Sequence, residues 1–336
     1  MYAGAPTLII LDTNVLPRHG SLAGPTFALV RAIAKKTGHD LALPAIVVEE
    51  SVAEFDRELR NEWDKAKAAE KALARFFPQY RIDHPDLSKR VEQWRADLMR
   101  SFTTLDAPPG AADEALRREA HRRAPTRSGP KGSGISARDA LIWLTVLETH
   151  RRQPANSVTY FVTDNRKDFG HDELLPALQR EVDALAATAS FHYLASIAGL
   201  LDALATRAGD GPTASRLLAS DELRAAVQEA LGSVDVVGEG DWWPPAIRPV
   251  FKEVSLRGAE PSPAYEISGR CFATVLTVWD GVTSTVSGST ESSVWYESLS
   301  HYLAQLLLLV ELADDGRVTT ADVAGGGPFV YERTET

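Results

Sequence analysis

The stretch FVTDNRKDFG, residues 161–170, decides how the chain is read. Two β-formers, Phe161 and Val162, run straight into Thr163, Asp164, Asn165, Arg166, Lys167 and Asp168. With SVTY before it, this is a buried strand that ends in carboxylates and amides. One explanation is a turn that caps the next helix. The other is one edge of a metal site.

Outward from that strand, ELLPALQREVDALA (173–186) reads as helix, SFHYLA (190–195) as strand and SIAGLLDALATRA (196–208) as helix. Upstream, TLIIL (7–11) is a short apolar run suited to a fully buried strand, followed by Asp12, Thr13 and Asn14. TFALVRAIAKKTG (26–38) reads as a helix ending at Gly38. LALPAIVVEE (41–50) reads as a second strand that Glu50 closes as a helix opens. Val52, Phe55, Leu59, Trp63 and Ala66 then form one apolar stripe, expected to be core, until Pro78 stops the helix. Residues 85–124 read as helical, APTRSGPKGSG (124–134) as a loop, and a further helix starts near Ser136. Strands alternating with helices predict an α/β domain with a mainly parallel sheet over 1–207.

Beyond it the texture changes. GDGPT (209–213) is linker-like, and one amphipathic helix follows, so 208–240 reads as linker and helix. Residues 241–336 are rich in Val, Thr, Ser, Trp and Tyr, and Asp315-Gly316 is a hairpin signal. A small, mostly antiparallel C-terminal β domain is expected there. Its segment SGSTESS (287–293) reads as a loop.

In 336 residues there is one cysteine, Cys271, which excludes an intrachain disulfide and points to a reducing compartment. The longest apolar run, LLLLV (306–310), is far short of a membrane span, so a soluble, cytoplasmic protein is expected. The net charge of −10 argues against a general DNA-coating protein. The stretch Ala115–Arg138 is the exception: Arg117, Arg118, Arg122, Arg123, Arg127, Lys131 and Arg138 stand against one acid, Glu119. Such a stretch suits a phosphate backbone, though charge runs are also commonly solvated surface.

The acids fall at element ends. Asp12 and Asp164 each follow a strand, and in a parallel sheet those loops share one edge, where ligands bind. Glu54 is four residues beyond Glu50, on the same helix face. Asp139 lies in the first turn of the helix begun by Ser136. Each has an ordinary reading: Asp12 as a cap, Asp139 paired with Ser136 in a capping box, Asp164 as a turn residue, Glu50 or Glu54 as a first-turn acid. Together they suit a divalent ion, because clustered carboxylates raise each other's pKa unless a cation intervenes. Magnesium and manganese prefer such oxygen ligands.

The strings LIILDTN, VVEESVAEF, SARDALIW and FVTDNRKDF resemble, in that order, the four acidic motifs of PIN domains over roughly residues 7–200. The resemblance implies a metal-dependent nuclease, usually acting on RNA, with a three-layer α/β/α fold. It implies a helical insertion, here residues 56–134. It also implies that Asp12, Glu50, Asp139 and Asp164 hold Mg²⁺ or Mn²⁺, with Asp168 as a further ligand or an orienting group. Thr13, Asn14, Thr163 and Asn165 would support them, and Glu54 is the alternative to Glu50. An inhibitor protein is plausible for the family, and self-association is open. The rivals are a catalytically silent RNA-binding or scaffold protein on the same fold, and a haloacid-dehalogenase-like phosphatase. The phosphatase needs a second Asp two positions after the first, where this chain has Asn14. Among the aromatics, Trp94 is expected between helices, Trp143 beneath the site, and Trp242 and Trp243 at the domain junction.

Overall fold

The computed structural model describes residues 7–17, 22, 25–77, 85–126, 137–185, 187–232, 251–267, 269–289 and 294–325. Pro78, Arg127, Lys131, Ser136, Trp242, Trp243 and residues 290–293 lie outside the described residues. The chain divides into two compact units. One combines Met1–Leu22 with Ala34–Leu200; the other combines Ala23–Ile33 with Leu201–Thr336. The helix α1 (Pro25–Thr37) therefore gives most of its length to the second unit.

The first unit is built on a five-stranded sheet of β1 (Thr7–Leu11), β2 (Asp40–Pro44), β3 (Thr103–Leu105), β4 (Val158–Val162) and β5 (Ser190–Leu194). Its order is β3-β2-β1-β4-β5, and every pairing is parallel. All five residues of β1 are buried, as a continuous apolar run at the centre of a parallel sheet should be. From β1 the chain proceeds to β2 and β3 on one side and to β4 and β5 on the other. The sheet thus has its topological switch between β1 and β4, the place where open α/β sheets bind ligands. Asp12 and Thr163 are the first residues past those two strands.

Four expectations are corrected. β2 ends at Pro44, and α2 (Ala45–Leu73) begins at once, so Glu50 lies in the helix rather than at the strand's end. The β-branched Val47 and Val48 look strand-like but are buried on the inner face of α2, where tertiary packing overrides propensity. Past Phe55 no residue of α2 is fully buried, so Leu59, Trp63 and Ala66 are only partly covered. Residues 85–124 are α3 (Leu87–Ser101), the edge strand β3 and α4 (Ala111–Ala120), not continuous helix. α5 (Ala137–Arg151), α6 (Arg166–Phe169), α7 (Pro176–Ala184) and α8 (Ile197–Leu204) complete the alternation. After α8 the expected helix stops, and Thr206–Gly209 forms β6.

β6 belongs to the second unit's sheet, of order β11-β10-β9-β8-β6 with β7 also on β9. Its other strands are β7 (Phe251–Pro261), β8 (Ala264–Ile267), β9 (Arg270–Ser289), β10 (Val294–Leu312) and β11 (Val318–Gly325), and all the pairings are antiparallel. The Asp315-Gly316 hairpin joins β10 to β11, with Gly316 at φ 75°. Alternate residues Ala273, Val275 and Trp279 of β9 and Leu306, Leu308 and Val310 of β10 share one face. That face packs on Leu217 of α9 (Ala214–Leu218) and on Leu223 and Val227 of α10 (Asp221–Gly232). Among the described residues no helix is long and apolar enough to cross a membrane.

Candidate functional site

The site is assembled where β1 and β4 end. The Asp12 backbone N–H donates to Val162 O at 3.0 Å, which ties the two strand ends together. Asp12 also caps the short 3₁₀ turn Thr13–Val15: its Oδ1 accepts from the Thr13 backbone N–H at 2.7 Å. Its Oδ2 accepts from the Thr163 hydroxyl at 2.6 Å. The capping reading of Asp12 is therefore correct, and it leaves the carboxylate inside the site.

Thr163 is the hub. Buried, it donates to Asp12 while its oxygen accepts from Asn14 Nδ2 at 3.2 Å and from the Asn165 backbone N–H at 3.0 Å. Asn14 Oδ1 takes the Asp164 backbone N–H at 2.9 Å, so the two post-strand loops are laced together. Asn165 Nδ2 reaches Asp139 Oδ1 at 3.2 Å, bringing in the first turn of α5. Thr13 Oγ1 donates to Glu50 Oε2 at 2.8 Å, bringing in α2. Arg138, beside Asp139, forms an ion pair with Glu50 Oε1.

Charge is crowded here. Asp12 is 3% exposed, and burial pushes its pKa up to about 6 against the hydrogen bonds from Thr163 and Thr13; Glu50 and Glu54 push it further. Asp139 is raised to about 7, first by burial and then by Asp12, Asp168 and Glu50, with Arg138 opposing. Asp12, Glu50 and Asp168 thus lie within electrostatic reach of Asp139, and Glu50 also of Asp12. Asp164 is placed differently: its side chain is largely exposed and faces Arg166 at 3.4 Å. Both Glu50 and Glu54 sit on α2, and Glu50 is the one tied to the β1 loop.

Among the described residues no group of three or more His, Cys, Asp or Glu side chains is arranged to hold a metal ion. The donor set nevertheless fits Mg²⁺ or Mn²⁺ in kind: hard carboxylate oxygens whose mutual repulsion raises their pKa values. Both Asp12 oxygens accept hydrogen bonds, and Glu50 is shared between Thr13 and Arg138.

Trp143 lies fully buried among Phe161, Phe169 and Phe191, and Phe161 and Phe169 come from the strand and the short helix of the 161–170 motif. The motif closes at Gly170, φ 130°, whose carbonyl accepts from the Tyr193 hydroxyl at 2.5 Å. A Cβ there would fall 2.0 Å from Glu173 O, so only glycine fits.

The basic stretch divides. Arg118 is buried and does not present a free charge: it bonds Glu181 at 2.9 Å and the Ala124 carbonyl at 3.0 Å, while Trp143 Nε1 shares the same Glu181 oxygen. The cause is its helix face, which it shares with buried Ala111 and Ala115. Glu181 was not singled out by sequence reasoning; the Ala111, Ala115, Arg118 spacing was the available signal that some partner must exist. Arg117, Arg122 and Arg123 are exposed, with Arg123 against Glu114 at 2.8 Å and Arg122 at φ 51°.

A PIN domain family model matches residues 9–169. No curated protein and no solved structure matches the chain.

Proposed function

Residues 9–169 belong to the PIN-domain family, whose members are generally metal-dependent nucleases, and on that premise we propose that this protein hydrolyses phosphodiester bonds in RNA. The observation that carries the reading is the convergence of Asp12, Glu50, Asp139 and Asp168 with raised pKa values on Asp12 and Asp139. These four would hold Mg²⁺ or Mn²⁺, and Asp164 would contribute from the rim. The ion supplies Lewis acidity for the attacking water and the leaving oxygen. Thr163 holds the Asp12 carboxylate, Asn165 holds Asp139, and Thr13 holds Glu50. Exposed Arg117, Arg122 and Arg123 supply phosphate contacts, joined by Arg127, Lys131 and by Arg138 once it leaves Glu50.

The test is cleavage of labelled single-stranded RNA, double-stranded RNA and single-stranded DNA with Mg²⁺, with Mn²⁺ and with EDTA. Cleavage by wild type that EDTA and Asp139→Asn both abolish supports the reading. One observation, the ion pair that Arg138 makes with Glu50 where a divalent ion would sit, favours an alternative: a catalytically silent RNA-binding protein on the same fold. RNA binding without cleavage would select it. In either case replacing Arg122 and Arg123 should lower the slope of log affinity against log salt by about 1 per arginine. An unchanged slope returns them to solvated surface.

A further inference from the structure

α3 meets α2 on both sides of Glu50. Trp94, 1% exposed, donates its indole N–H to Ser51 Oγ at 3.2 Å. Arg95 forks onto Glu49, with Nη2 3.0 Å from Oε2 and Nη1 on Oε1. One turn further along α2, the Phe55 ring lies 6.1 Å from the Trp94 ring, and the Arg90 guanidinium sits 5.2 Å over it. Glu49, Ser51 and Phe55 therefore bracket Glu50 and Glu54.

This placement answers a problem that the sequence poses. Glu49 and Glu50 are adjacent and chemically identical, and on a helix they point about 100° apart. A rotation of α2 by one residue would present Glu49 to the β1 loop instead. Arg95 takes Glu49 outward, and Trp94 fixes the neighbouring Ser51, while Thr13 receives Glu50. We propose that Trp94 and Arg95 are positioning residues which set the helical phase of α2 so that Glu50 faces Asp12. This rests on the proposed metal role of Glu50.

Charge and positioning predict opposite signs, which makes the inference testable. Removing the Arg95 cation from beside an acidic cluster would by charge alone tighten binding of a cation. Losing an orienting partner weakens it, commonly by about 10–100-fold. Mn²⁺ alone is titrated calorimetrically into the full chain for wild type, Arg95→Ala, Trp94→Phe, Asp139→Asn and the swapped pair Glu49→Arg with Arg95→Glu. Circular dichroism checks that each variant is folded. Expected is Mn²⁺ binding weakened roughly tenfold in Arg95→Ala and in Trp94→Phe, recovered in the swapped pair and lost in Asp139→Asn. Arg95→Ala leaves the buried face of α2, Val47, Val48, Val52 and Phe55, intact, so the variant folds. Unchanged or tighter Mn²⁺ binding in Arg95→Ala, with Asp139→Asn still defective, overturns the positioning role alone. Wild type that takes up no Mn²⁺, or Asp139→Asn that binds as wild type does, overturns the metal reading and this inference with it.

Discussion

The two sheets treat charge in opposite ways. In the antiparallel unit Glu311, Asp280, Asp315 and Asp221 each face an arginine, respectively Arg270, Arg257, Arg317 and Arg224. Its buried polar groups are satisfied locally: Trp279 Nε1 donates to Thr277, and Thr277 donates to Leu306 O at 2.9 Å. In the parallel unit, Asp12 and Asp139 have no ion-pair partner among the described residues, and Arg138 turns to Glu50. The first arrangement is what stability selects. The second costs stability, and it makes sense if a cation completes it.

The comparison breaks most visibly in the variant Asp139→Asn. Cleavage should fall by more than the roughly 100-fold typical of losing an outer-shell partner, measured as single-turnover rate. With EDTA at pH 8 the same variant should melt no lower than wild type, because a repelled charge is gone; a lower melting temperature would mean that the bond from Asn165 and the place of Asp139 in the first turn of α5 outweigh the repulsion. Leu308→Ala, deep in the antiparallel core, should cost about 2–5 kcal/mol in urea unfolding while leaving Mn²⁺ binding unchanged. The pH dependence comes next. Asp12 and Asp139 have folded pKa values above the usual carboxylate value of 3.8, near 6 and 7. The folded state therefore binds more protons than the unfolded one between about pH 4 and 7. The associated stability is fully present below about pH 4 and is lost as pH rises through 6 to 7. At about 1.4 kcal/mol per pKa unit, the part of the loss in EDTA that falls between pH 5 and pH 8, about one unit for Asp12 and two for Asp139, is on the order of 4 kcal/mol. Chemical unfolding at pH 5 and pH 8 measures it, and Mn²⁺ should restore more stability at pH 8 than at pH 5. The smallest effect is that of Glu311→Gln, expected at about 1 kcal/mol because Arg270 is half-exposed and the amide keeps one acceptor oxygen for it.

Strand runs such as TLIIL and SVTYFV were legible because a central parallel strand must be apolar on both faces, and that leaves no ambiguity of period. Asp12 and Asp139 were legible because they sit at element ends. Thr103–Leu105 was not: three residues carry no periodicity, and as an edge strand it is barely buried. Thr206–Gly209 was hidden because Ala205 and Ala208 look helical beside α8, while the pairing with β8 is long-range. Val47, Val48 and Glu50 misled through their β-branched neighbours, although Pro44 already marked where the strand must stop. Asp168 outranks Asp164 in its effect on Asp139, a choice made by the short turn of α6 that spacing alone does not reveal.

The interleaving of the two units has a consequence for synthesis. A ribosome that has delivered residue 200 has made the whole first unit, including every carboxylate of the site. Phe27, Leu29, Val30 and Ile33, buried in the finished protein, are grouped with a segment that does not yet exist. At about 5–20 residues per second they wait on the order of ten seconds. During that interval residues 27–33 are an apolar stretch whose partners have not yet been made, and a chaperone would find its target there.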